Sequence, residues 1–199
     1  MVFVTLLALV LQQTPQQPSV EIPYKGLSYS MLSKNGVTVM VAPMNHRILE
    51  YATVEVWISN GSKYPIHVDP RFFEARTAAD PASPAIAGAE DLKVIDEIGR
   101  RAKSKDLSEL VRTYETTLYG FANEKSVSYY EKRKHAVLAS GGKMRATATA
   151  SAIILAEATL KAGETTDGTV FFATDPHSAI VSIGAHLAGS SYDFRIPGQ

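Results

Sequence analysis

The sequence predicts a mainly β protein: a β-sandwich interrupted by a block of helices. Three observations carry this expectation. Short β-branched and aromatic runs recur at roughly ten-residue intervals over residues 22–76, separated by turn chemistry. Apolar spacing then turns helical over about residues 77–160, and β-type runs return over residues 168–196. A single core needs the strands on both sides. The helices therefore read as an insertion into one domain spanning residues 21–199, not as a second domain.

The strands follow in order. Residues 27–32 and 37–41 flank Asn35-Gly36, the strongest short hairpin signal because both residues tolerate positive φ. Val37, Val39 and Val41 alternate with Thr38 and Met40, which predicts one buried face. Residues 51–59 form the longest β-type run, with Val54, Val56 and Ile58 alternating with Glu55 and Trp57; Asn60-Gly61-Ser62 ends it. Residues 64–68, the Asp69-Pro70 turn and residues 71–75 complete the early set. The late set is residues 168–174, 179–187 and 191–196.

Between them, residues 77–88 are rich in alanine, proline and serine and read as a linker. Leu92, Ile95 and Ile98 then recur at helical spacing. Asp106 is placed to cap a segment in which Leu107, Leu110, Val111, Tyr114 and Leu118 share a face. A third segment runs over about residues 123–138, and an alanine-rich one over 144–160, for which alanine's propensity favours helix over strand. Residues 89–145 hold 21 of the 40 charged residues, the distribution expected of solvated helix faces.

At the amino terminus, ten mostly apolar residues from Val2 to Leu11 precede a Gln/Pro stretch. A membrane span takes about twenty such residues, so the run fits the core of a signal peptide, with residues 1–20 as leader and spacer. No Lys or Arg precedes it and no small-x-small cleavage site follows it. The expected location is extracytoplasmic, periplasmic or secreted.

The chain is 199 residues long, with Lys+Arg and Asp+Glu equal at 20 each, so its overall field attracts neither nucleic acid nor anionic lipid. It has no cysteine, which excludes disulfides, thiolate metal sites and a cysteine nucleophile. No stable membrane span and no cofactor are expected.

The stretch Leu160-Lys-Ala-Gly163 through Gly168-Thr-Val-Phe-Phe172 resembles a passage of immunoglobulin-like domains in bacterial secreted proteins and lipoproteins. The stretch Val56 to Ser62 followed by Pro65-Ile-His-Val68 is similar to an earlier passage of the same sandwiches. The resemblance implies an immunoglobulin-like antiparallel β-sandwich carrying a three- to four-helix insertion. Without the lipobox cysteine it implies no lipid anchor, and it implies no reaction.

Catalytic signals are weak. The five histidines His46, His67, His135, His177 and His186 form no paired metal motif, and no Gly-x-Ser-x-Gly elbow is present. His67 and Asp69, two apart on a strand, share a face and come nearest to a metal pair; a solvent-facing histidine beside a turn is the commoner explanation. In Tyr129-Tyr-Glu-Lys-Arg-Lys-His135 the basic residues are consecutive and fan over about 200° of a helix, which argues against a nucleic-acid stripe. No catalytic, cofactor or metal residue is therefore assigned.

The expected function is a non-catalytic binding or scaffold module that presents the insertion to a protein or envelope partner, using Tyr114, Tyr119, Tyr130 and Trp57 as a possible interaction surface. The rivals are a hydrolase with a cleft between helices and sandwich, and a carbohydrate-binding module built around Trp57.

Overall fold

Asn35 and Gly36 have φ of 50° and 81°, the positive values a type I′ turn demands, and they join two long strands into a hairpin. This hairpin seeds the larger sheet of the computed structural model, which describes residues 19–24, 27–78, 84–101 and 153–196. Strands β1 (Val20–Tyr24), β2 (Leu27–Lys34), β3 (Val37–Ile48) and β4 (Tyr51–Asn60) are successive antiparallel neighbours. Strand β9 (Thr165–Ala173) pairs with the far side of β4.

Three further pairings complete the architecture. Strand β5 (Ile66–Val68) pairs with β8 (Ala158–Leu160) in a two-stranded sheet. A 3-10 turn, Pro70–Phe72, leads into β6 (Phe73–Thr77), capped by the Asp69 carboxylate on the backbone N–H of Arg71. Strands β7 (Ile86–Ala87), β10 (Ile180–Leu187) and β11 (Ser190–Arg195) join β6 in a four-stranded antiparallel sheet of order β11-β10-β6-β7.

Period-two patterning decides which faces meet. Val39, Val41, Val54, Val56, Ile58, Val170 and Phe172 from the larger sheet share one buried cluster with Phe73, Ala75, Ile183, Ala185, Tyr192 and Phe194 from the smaller. Ile66, Val68 and Leu160 of the β5–β8 pair close it. Each fully buried valine, leucine, isoleucine or phenylalanine among them contributes about 1.5–3 kcal/mol by leaving water. The opposite face of the larger sheet is also covered. Helix α1 (Asp91–Arg101) sets Val94 and Ile98, four residues apart, onto Met44, Ile48, Tyr51 and Phe171. Tyr29, Met40 and Ala42 form a third cluster, with Trp57 half-buried beside them.

The fold class expected from sequence needs correction. Among the described residues α1 is the single α-helix, so a three- to four-helix insertion is not what the chain builds there; residues 102–152 lie outside the described residues. The segment 77–160 also holds strands. Ile86–Ala87, read as linker, adds to the edge of β6, and Ala158–Leu160, read as helix, pairs with β5. Alanine's helical propensity is a fraction of a kcal/mol per residue and yields to backbone pairing and burial of Ile153, Ile154 and Leu155. The α1 stripe is shifted as well: Leu92 is 70% exposed, and Val94 takes its place in the core. Nor is an immunoglobulin-like sandwich shown. That topology distributes its early strands between two sheets, whereas β1 to β4 all run consecutively in one.

Candidate functional site

The outer face of the four-stranded sheet carries the most organised set of exposed side chains. Phe73, Ala75, Ile183, Ala185, Tyr192 and Phe194 point into the core, so their neighbours in sequence must point out. The register then builds two rows across the sheet. Glu74, Gly184 and Asp193 are cross-strand partners, and Arg76, Ser182 and Arg195 form the next row. Small residues on central β10 make a floor, and an acid–base pair on each flanking strand makes a wall. The result is a trough within a groove of about 890 Å³. A Cβ added at Gly184 would meet Asp193 Oδ1 and Glu74 Cβ at 3.9 Å, ordinary van der Waals contact, so the floor admits a side chain without clash.

At one end of this trough lies an arrangement that looks catalytic on paper. His186 Nδ1 is 3.1 Å from Ser191 Oγ, and His186 Nε2 is 4.0 Å from Glu74 Oε1. His186 and Ser191 are direct cross-strand partners, so this contact is what a hairpin delivers without selection. The Glu74 contact is beyond hydrogen-bonding distance. Peptide N–H groups of a sheet also lie in its plane and not above its face, where an oxyanion formed over the serine would need them.

A second cluster forms where β5 meets β8. His67 lies on β5 opposite Thr159, and Glu157 immediately precedes β8. His67 Nε2 and Glu157 Oε1 are 3.3 Å apart, and a coordinating atom of Asp69 falls within 4.8 Å of both. The His67 ring packs edge-on to Phe72, with centroids 5.6 Å apart. Asp69 is buried and receives Arg71 N–H at 2.8 Å and the guanidinium through Nε and Nη2. The Arg71 hydrogen bond holds the Asp69 carboxyl below the usual carboxylate range, against the opposing effect of burial.

The third polar centre is structural. Arg47 sits at the register break in β3 and directs Nη2 to Glu50 O at 3.1 Å, Thr174 O at 2.8 Å and Thr174 Oγ1 at 2.6 Å. It pins the segment after β9 to the β3–β4 turn.

Of the interaction residues expected from sequence, Tyr114, Tyr119 and Tyr130 lie outside the described residues. Trp57 is half-buried against the Tyr29, Met40 and Ala42 cluster, and every residue of β4 is buried except Trp57 and Ser59, which are half-buried. A flat aromatic platform for sugars is thus not offered by that strand. The signal for the trough was legible but unused. Phe73-Glu74-Ala75-Arg76 and Tyr192-Asp193-Phe194-Arg195 repeat one pattern of apolar, acidic, apolar and basic residues. Glu157, by contrast, had no local signal, because only the β5–β8 pairing brings it to His67.

No protein-family model matches the chain, and neither the curated proteins nor the solved structures contain a match to it. Among the described residues, no helix is long and apolar enough to cross a membrane.

Proposed function

We propose that the protein is a non-catalytic, extracytoplasmic binding module whose trough on the four-stranded sheet takes an extended peptide segment bearing charges of both signs. One observation carries this reading: Glu74 with Arg76 and Asp193 with Arg195 wall a floor of Ser182 and Gly184. Alternate side chains of an extended strand repeat about every 6.6–6.8 Å, the same repeat as the two charged rows, so one bound segment can meet both. Rows of opposite sign favour one register and penalise like-charged partners, which gives specificity more than raw affinity.

The alternatives fare less well on the same geometry. A hydrolase needs an oxyanion site beside Ser191, and the sheet face offers no such donors. A carbohydrate platform needs exposed aromatic rings, and the trough is built from charged and small residues. The extracytoplasmic part of the reading rests on the apolar run from Val2 to Leu11.

The test is a peptide array of mixed-charge decamers probed with the wild-type chain and with Gly184→Phe, which fills the floor. The expected outcome is a selected subset of peptides whose binding is lost in the variant while the thermal midpoint is held. Equal binding by both proteins, or no selection above scrambled peptides, overturns the reading. Hydrolysis of an activated ester that disappears in Ser191→Ala would instead favour the hydrolase.

A further inference from the structure

We propose that His67, Glu157 and Asp69 form a binding site for a divalent transition-metal ion of the zinc type, clamping β5 to β8. The site is independent of the trough and of the function proposed for it.

Ligand chemistry comes first. One imidazole nitrogen with two carboxylates is a donor set suited to zinc-like ions, which accept nitrogen and oxygen ligands together; calcium and magnesium favour oxygen alone. Geometry agrees. Bonds of about 2.0–2.2 Å at a tetrahedral angle place two ligand atoms about 3.3–3.6 Å apart. His67 Nε2 and Glu157 Oε1 are separated by 3.3 Å. An ion can therefore sit between them with little movement of either side chain. A carboxylate oxygen of Asp69 lies within 4.8 Å of both and is the third donor, with water filling the open position.

Arg71 is the obvious objection, since it places a positive charge beside Asp69. Its backbone N–H and one Nη2 hydrogen each engage one oxygen of that carboxylate and its single Nε–H is shared between both, so an ion competes only with one half of the shared contact. The charge is also outweighed locally. Asp91 Oδ2 accepts the backbone N–H of Glu157 at 3.4 Å, and Glu90 acts on the Arg71 guanidinium. With Asp69 and Glu157, these carboxylates leave the neighbourhood negative. The His67 and Glu157 side chains are about half exposed, 46% and 54%, so an ion reaches them directly from solvent.

The framework around the cluster is already set. Phe72 holds the imidazole plane, the 3-10 turn fixes Asp69, and the β5–β8 register fixes the spacing between His67 and Glu157. A bound ion then joins chain segments about ninety residues apart and stabilises the folded state by mass action.

The experiment is calorimetric titration of the full chain with zinc chloride in a non-coordinating buffer, alongside His67→Ala, Glu157→Gln and the control His177→Ala. Thermal unfolding of each protein is followed with and without the ion. The expected result is one saturable site in the wild type and in the control, weakened at least tenfold in both ligand variants. The zinc-dependent rise in midpoint should likewise be present in the first two and absent in the last two. The substituted side chains are exposed, so the metal-free midpoints should agree, which separates loss of a ligand from loss of fold. No saturable heat in the wild type overturns the proposal, as does wild-type affinity for zinc in His67→Ala or Glu157→Gln.

Discussion

Asn60 donates one carboxamide hydrogen to Leu160 O at 3.0 Å and the other to Tyr64 O at 2.8 Å, joining the end of β4 to β8. Its Oδ1 accepts the N–H of Ser62 at 3.0 Å and the hydroxyl at 2.7 Å, so the amide's donors and acceptor are all in use. The residue is fully buried. Its place in an Asn-Gly-Ser sequon is thus turn chemistry. Asn60→Ala removes the donor of the buried bond to the Leu160 carbonyl and should cost about 1–3 kcal/mol in urea unfolding. Asn60→Asp should be worse, since it turns a carboxylate toward two carbonyl oxygens. A loss under about 0.5 kcal/mol for the alanine variant would remove Asn60 from this role.

Tyr51 gives the acid branch of stability a specific origin. Its hydroxyl donates to Glu97 Oε2 at 2.5 Å, and Arg101 reaches both Glu97 and Glu50. The Tyr51 hydrogen bond is the largest cause holding the Glu97 carboxyl below its ordinary 4.5; burial opposes it and Arg101 adds to it. A depressed carboxyl binds fewer protons when folded, so its contribution is present above the unfolded value and lost as pH falls through the folded one. Tyr51→Phe should cost about 1–2 kcal/mol at neutral pH and show a shallower decline below about pH 4.5. Parallel pH–stability curves for the two proteins would contradict this.

The same tyrosine governs the alkaline side. Burial first, then the Glu97 hydrogen bond, pushes the Tyr51 phenol well above its ordinary 10.0, and burial also raises Tyr192. Raised phenols contribute stability below pH 10 that is lost as pH rises above it. Ultraviolet titration should show Tyr51 and Tyr192 among the tyrosines that ionise only as the protein unfolds, with one fewer such group in Tyr51→Phe. Early ionisation of every tyrosine in folded protein is the contrary result.

Gly168 is required by a neighbouring backbone. A Cβ there would lie 2.5 Å from Leu155 N and 2.6 Å from Leu155 Cα, where Leu155 N–H donates to Thr169 O at 3.0 Å. Because the obstructing atoms are main chain, no rotamer change relieves the clash. Gly168→Ala should destabilise by about 1–3 kcal/mol. Gly184→Ala, whose nearest neighbours are at 3.9 Å, is the matched control and should change the thermal midpoint by far less.

The leader expected at residues 1–20 is checked by mass spectrometry of the amino terminus from fractionated cells. Export predicts that the apolar run from Val2 to Leu11 is missing from the mature chain. Intact Met1 on cytoplasmic protein is the opposing outcome.

Strand positions were legible where the signal is local. The Asn35-Gly36 turn, the alternation through Val54, Val56 and Ile58, and the late runs all depend on residues a few positions apart. Leu92 shows the limit of that approach: it fits a helical stripe, yet faces solvent because the sheet beneath α1 selects Val94 and Ile98. Ala158–Leu160 shows the other limit, since a weak helical preference cannot report a partner strand some ninety residues earlier.

By itself the sequence determined that the described chain is built mostly of antiparallel strands, with which side chains alternate inward, because period-two burial and turn chemistry are properties of neighbouring residues. Only the tertiary structure decided that β1 to β4 stay in one sheet, that Ser182 and Gly184 floor a charged trough, and that Glu157 meets His67. Those outcomes depend on the pairing of distant strands, whose register is set by the fit of whole faces and by single buried groups such as Asn60.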